Sequence, residues 1–210
     1  MLLLRRPSSD FVRSHLAEQA LLNHSYPERS ATRDATDARP DVSGHYAIDH
    51  HRVQLGRGRL TFERAKAALH RWEMFALPWV ELCWPDAPIE VGTTVGILAG
   101  GRLWSLNACR IVYTLDESGD PDRYGFGYGT LPDHVEIGEE RFLVEYHPSD
   151  DSVWYDLLAF SRPRHWTAKL ARAYTRSVQR AFAGGSMRAM AHASSEQETG
   201  RGYPITRGVV

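Results

Sequence analysis

Between Trp79 and Phe160 the chain offers six short β-type runs, and after Pro163 a stripe of Trp166, Leu170, Tyr174, Val178 and Phe182 recurs every four residues. Runs joined by short turns, such as Glu117-Ser-Gly-Asp-Pro121 and Pro148-Ser-Asp-Asp151, pair antiparallel with their sequence neighbours. The sheet they build has an apolar face to bury, and one long amphipathic helix following it is the element available to cover that face. Gly184-Gly185 is where that helix is expected to stop.

Upstream, Ser8-Ser9-Asp10 supplies capping oxygens ahead of Phe11, Val12, His15, Leu16, Ala20 and Leu21, which predicts a helix over about residues 10–22. Tyr26 to Gly44 is rich in Pro, Asp, Arg, Ser and Thr and reads as a long irregular connection draped over the domain. His45 to Leu55 alternates as a strand, and Leu60 to Leu77 switches to helical spacing through Phe62, Ala65, Leu69, Trp72 and Phe75 until Pro78. The fold class expected is α+β: a curved antiparallel sheet wrapped around a long C-terminal helix, a helix grip, with an extra N-terminal helix. The division expected is 1–44 for the first helix and connection, 45–190 for one α+β domain, and 191–210 for a flexible tail. A grip of this kind leaves a cavity between sheet and helix.

Gly125, Gly127 and Gly129 alternate, so one strand face lacks side chains at three successive positions while Phe126 and Tyr128 project from the other. Something large must approach the bare face, and the C-terminal helix or a ligand would fit. Arg110 lies mid-strand among Cys109, Ile111, Val112 and Tyr113, and Asp156 is set likewise within Val153 to Phe160. Buried charges need partners, so the two either pair with each other or face a ligand whose apolar body packs on Trp104, Tyr113, Tyr128 and Tyr155. His134, Glu136, Glu139 and Glu140 form a cluster able to move a proton or hold a divalent cation, or a solvated hairpin whose glutamates pair with Arg141 or Arg123. The ligand-binding candidates are therefore Arg110, Tyr113, Trp104, Tyr128, Tyr155, Asp156, His134 and Glu140, with no metal site and no cofactor indicated. The strand Val153 to Phe160 is apolar on both faces apart from Asp156, as in a covered strand or a dimer contact.

Composition narrows the rest. In 210 residues, 25 Lys and Arg face 26 Asp and Glu, so no overall field draws the chain to nucleic acid, and the row Lys169, Arg172, Arg176, Arg180 reads as a solvated helix face. The opening Met-Leu-Leu-Leu-Arg-Arg has its charges after its apolar run, unlike a secretory leader, and no apolar span is long enough to cross a membrane. Cys83 and Cys109 suit buried free thiols in a reducing cytoplasm. Neither a dinucleotide loop, nor a G-x-S-x-G elbow, nor an H-E-x-x-H helix occurs.

The segments Ser25-Tyr-Pro-Glu28, Ala31-Thr-Arg33, Trp104-Ser-Leu-Asn107, Cys109-Arg110, Tyr128-Gly-Thr-Leu-Pro132, Gly138-Glu-Glu-Arg-Phe142 and Ala159-Phe-Ser-Arg-Pro163 occur in this order. Together they resemble a bacterial and plant family known as domain of unknown function 1990, over roughly Leu21 to Met190. The resemblance carries no reaction and no catalytic residue, and its link to helix-grip lipid-binding (START, Bet v 1) and cyclase-like domains is an analogy of fold. The function expected is binding of a small hydrophobic or amphipathic molecule under the C-terminal helix. The alternative is a cyclase-, lyase- or hydrolase-like enzyme with Arg110 as electrostatic stabiliser and His134 or a Glu as acid and base.

Overall fold

The computed structural model describes residues 1–33, 35, 39–42, 44–101, 103–164 and 172–195, with side chains of the last helix from Arg176 on. The order is β1 (Leu2–Leu3), α1 (Ser9–Gln19), β2 (Ala47–Arg57), α2 (Arg59–His70), β3 (Val80–Leu82), β4 (Thr94–Ala99), β5 (Trp104–Glu117), β6 (Asp122–Thr130), β7 (Glu136–His147), β8 (Ser152–Pro163) and α3 (Arg172–Ser194). All pairings are antiparallel, in the order β2-β8-β7-β6-β5-β4-β3, with β1 added beside β5. The sheet curls into a half-barrel around α3, so the α+β grip with an added N-terminal helix is the fold.

The concave face is largely apolar and aromatic. Phe126, Phe142, Val144, Val153, Tyr155 and Leu157 pack there against Phe62, Leu69, Trp72 and Phe75 from the α2 region and Ala183 and Met190 of α3. On the convex side α1 covers β4 and β5 through Val12, Leu16, Leu98, Leu106 and Ala108. The irregular segment after α1 forms a strap: its Tyr26 packs edge-on against Phe160 at 5.6 Å, as Tyr46 does at 5.0 Å. Strand β8 lies between β2 and β7 and is covered on both faces, which accounts for its doubly apolar sequence.

Four expectations are corrected. Helix α2 ends at His70, because Trp72 turns left-handed (φ 57°) and a short 3-10 turn, Glu73–Phe75, follows. That turn sets Trp72 against Phe126 (5.0 Å) and Phe75 against Phe142 (5.6 Å) and Phe182 (5.3 Å). Gly184-Gly185 does not stop α3, which runs on to Ser194. A Cβ on Gly185 would lie 2.2 Å from Leu77 Cδ2, so this glycine serves close packing of the helix rather than its end. The bare glycine face is turned away from the helix: a Cβ on Gly127 would strike the Tyr113 ring at 2.4 Å and one on Gly129 the Tyr26 hydroxyl at 2.0 Å. Finally, Cys109 is buried but Cys83 is only partly so. The upstream part of the helix stripe, Trp166, Lys169 and Leu170, the Arg172 and Tyr174 side chains, and residues 196–210 of the tail lie outside the described residues.

Candidate functional site

Strand alternation places Glu136, Glu140, Phe142 and Val144 of β7 on the concave side and Ile137, Glu139, Arg141 and Leu143 on the convex side. Register carries the concave row across the sheet, with Tyr128 opposite Glu140, and Ala159 opposite both Glu140 and Asp49. At the open end of the grip α3 is held by polar contacts rather than by apolar packing. Gln179 Nε2 donates to Glu136 Oε1 (2.7 Å) and Ser161 Oγ (3.0 Å), and Arg176 pairs with Asp49 while donating to Gln179 Oε1 (3.1 Å). A cleft of about 50 Å³ opens there, lined by Glu136, Ser161, Arg176 and Gln179 with Ala47 and His45 at its rim.

Deeper in, Tyr128 donates its hydroxyl to Glu140 Oε2 at 2.7 Å, and Tyr155 and Ser186 share a hydrogen bond of 2.8 Å that ties β8 to α3. Protein surrounds Glu140, and this desolvation, reinforced by the charges of Glu136 and Asp49 and opposed by the Tyr128 hydrogen bond, pushes its carboxyl up to about 7. The residue nevertheless keeps part of its surface accessible. Burial raises Glu136 as well, against the Gln179 hydrogen bond, and holds the Tyr128 and Tyr155 phenols far above their ordinary range. A carboxyl titrating near neutrality beside phenols that stay protonated can accept a hydrogen bond or exchange a proton.

On the convex side the carboxylates are heavily bonded, while Arg141 Nε is left buried without a partner. Glu139 accepts from Tyr26 Oη (2.7 Å), Ser30 N (2.7 Å), Thr32 N (2.9 Å) and Thr32 Oγ1 (2.6 Å), and Thr32 Oγ1 also meets Tyr113 Oη at 2.7 Å. Arg141 donates to Thr32 O (2.8 Å) and to Asp156 Oδ1 (2.9 Å), whose other oxygen meets His50 Nε2 at 2.6 Å. Arg141 and Asp156 are 7% and 3% exposed, so this is a buried ion pair.

The sequence candidates therefore separate. Glu140, Tyr128 and Tyr155 share the concave face; Tyr113 and Asp156 belong to the strap lock. The pairing of Arg110 with Asp156 does not occur. Arg110 instead donates to the Gln19 (3.3 Å) and Ala20 (2.6 Å) carbonyls at the end of α1, where a cation complements the exposed C=O groups. Trp104 stacks over Gly100 beside the N-terminal segment, and Arg6 lies over its ring at 5.7 Å. His134 accepts from Glu136 N at 2.9 Å, and burial drives its pKa down to about 3, so it is neutral at ordinary pH and held in the β6–β7 turn. Neither Arg123 nor Arg141 pairs with the cluster glutamates: Arg123 meets Glu145 at 3.3 Å.

Sequence reasoning passed over Asp49 and Gln179, and it read Arg176 as part of a solvated helix face, whereas Arg176 pairs with Asp49 on a strand far away in the chain. It took Arg141 for a surface partner of the hairpin glutamates, although Arg141 carries the mid-strand-charge signal that singled out Arg110 and pairs with Asp156. Among the described residues no group of three or more His, Cys, Asp or Glu is arranged to hold a metal, and no helix is long and apolar enough to cross a membrane.

Comparison with known proteins adds four findings. A UPF0548 protein of Dictyostelium discoideum is 36% identical over 87% of this chain and 90% of its own length. A UPF0548 protein of Deinococcus radiodurans is 38% identical over 86% and 92%, so the relatives span eukaryotes and bacteria. Among solved structures, a norcoclaurine synthase point mutant from Thalictrum flavum, in complex with a transition-state analogue, superposes with a TM-score of 0.46 at 12% identity, covering 74% of this chain and all of that one. The model of the domain of unknown function (DUF1990) matches residues 25–189, the stretch running from the strap through the sheet and into α3, and the chain belongs to that family.

Proposed function

We propose that the chain binds a small amphipathic molecule between the concave face and α3, with its polar end on Glu140 and its apolar body against Tyr128, Tyr155 and Phe142. The observation that carries this reading is Glu140 itself: a carboxylate inside a covered sheet, given one hydrogen-bond donor and left with accessible surface. A buried charge with spare lone pairs is costly unless something else supplies a donor. The 50 Å³ mouth has room for a few waters or a small head group. A larger body enters by displacing Gln179 and Arg176, whose contacts with Glu136, Ser161 and Asp49 are polar and readily exchanged for water.

Native mass spectrometry of the purified protein, under gentle and then denaturing conditions, tests this. A non-covalent adduct is expected, with occupancy falling about tenfold in Glu140→Gln, roughly the loss of one charge-assisted hydrogen bond. A clean apo mass, with no thermal shift on adding amphipathic molecules of either charge, overturns the reading. A second reading, catalysis by proton transfer, is favoured by the Glu140 carboxyl lying at about 7. It requires that wild type chemically alter the bound molecule and that Glu140→Gln bind it unaltered.

A further inference from the structure

On the convex side, at the β3 edge of the sheet, α1 and the segment before it stand off from β3 and β4 to leave a cleft of about 170 Å³, larger than the mouth of the grip. Val12, Leu98, Cys83 and Trp84 line it together with Arg6 and Arg13. Glu81, its one carboxylate, is already met by Arg6 at 2.6 Å. Arg13 is exposed, its guanidinium carbon lies 5.5 Å from the centre of the Trp84 ring, within cation–π reach, and it forms no ion pair among the described residues. A guanidinium held near an indole with no carboxylate partner has N–H groups left for a planar acceptor. Burial holds the Cys83 thiol up to about 11, so the wall adds no competing negative charge.

We infer that this cleft is a second binding site, separate from the grip, for a small anion with a flat apolar body, of the aromatic carboxylate class. Arg13 takes the carboxylate edge-on and the ring lies on Val12 and Leu98 beside Trp84. The volume suits a single ring: an engineered apolar cavity of about 150 Å³ takes benzene.

The test is a titration of the full chain with benzoate, followed by backbone amide NMR, with benzamide as the neutral isostere and inorganic phosphate as the anion without a ring. Saturable shifts are expected at the amides of Ser9 to Arg13 and of Cys83 and Trp84, with benzamide and phosphate each binding about tenfold more weakly. Arg13→Gln should cost a similar factor for benzoate and nothing for benzamide, and as an exposed residue its loss leaves folding intact. Equal affinities for benzoate and benzamide, or unchanged benzoate binding in Arg13→Gln, overturn the site. Shifts confined to residues lining the grip would overturn it too, while leaving the grip reading standing.

Discussion

Glu139 and Glu140 are adjacent on β7 and face opposite sides of one sheet. Glu139 receives four hydrogen bonds, all from the strap and three of them from Ser30 and Thr32, and has no capacity left for anything that arrives later. Glu140 receives one, from the neighbouring strand, and is raised toward neutrality by burial. The convex carboxylate closes a structure that folding completes; the concave one is the group that, in the function proposed above, meets the ligand. The same residue type is thus fully bonded or left with spare acceptor capacity according to how many donors the chain brings to it.

The sharpest way to break that contrast is Glu139→Ala. It strips the acceptor from four donors that the strap buries, so a loss of about 3 kcal/mol or more is expected in urea unfolding, with fast amide exchange at Ser30 and Thr32. A loss below about 1 kcal/mol would mean that the strap is held by Tyr26 and Tyr46 packing alone.

Glu140→Gln acts through pH. The folded carboxyl at about 7 lies above its ordinary 4.5, so the folded state binds more protons than the unfolded state across that window. Stability contributed by the protonated carboxyl is full below about 4.5 and is lost as pH rises through 7, by up to about 3 kcal/mol. The glutamine variant lacks this slope. It should match wild type near pH 4.5 and exceed it at pH 8, as denaturation at several pH values will read. A flat wild-type profile would show that Glu140 is solvated like a surface group.

Glycine substitutions sharpen the contrast further. Gly129→Ala drives a methyl into the Tyr26 ring and should cost about 1–3 kcal/mol by lifting the strap. Gly184→Ala, whose Cβ meets only the end of the Arg188 side chain at 3.4 Å, should stabilise α3 by about 0.5–1 kcal/mol. Equal effects from the two, read by thermal unfolding, would deny that the convex glycines are made for close approach.

Much of the fold was legible because periodicity is a local property. The alternation in β6 and the spacing of Phe62, Ala65 and Leu69 reported strand and helix directly. The errors arose where a local signal had a distant cause. Gly184-Gly185 looks like a terminator to its neighbours, but Leu77, on another element, is what needs the space. Arg110 and Arg141 look alike mid-strand, and only the strap and the end of α1 decide that one caps a helix while the other meets Asp156.

By itself the sequence determined that a run of antiparallel strands would be closed by a helix, since alternation and fourfold spacing need no knowledge of neighbours. It grouped Glu139 and Glu140 in one cluster, and only the strand's start at Glu136 puts the two on opposite faces. Which of the two would be saturated was decided by tertiary structure alone. That depends on a strap more than a hundred residues earlier in the chain laying its hydroxyls and amides on one face of β7 while α3 encloses the other.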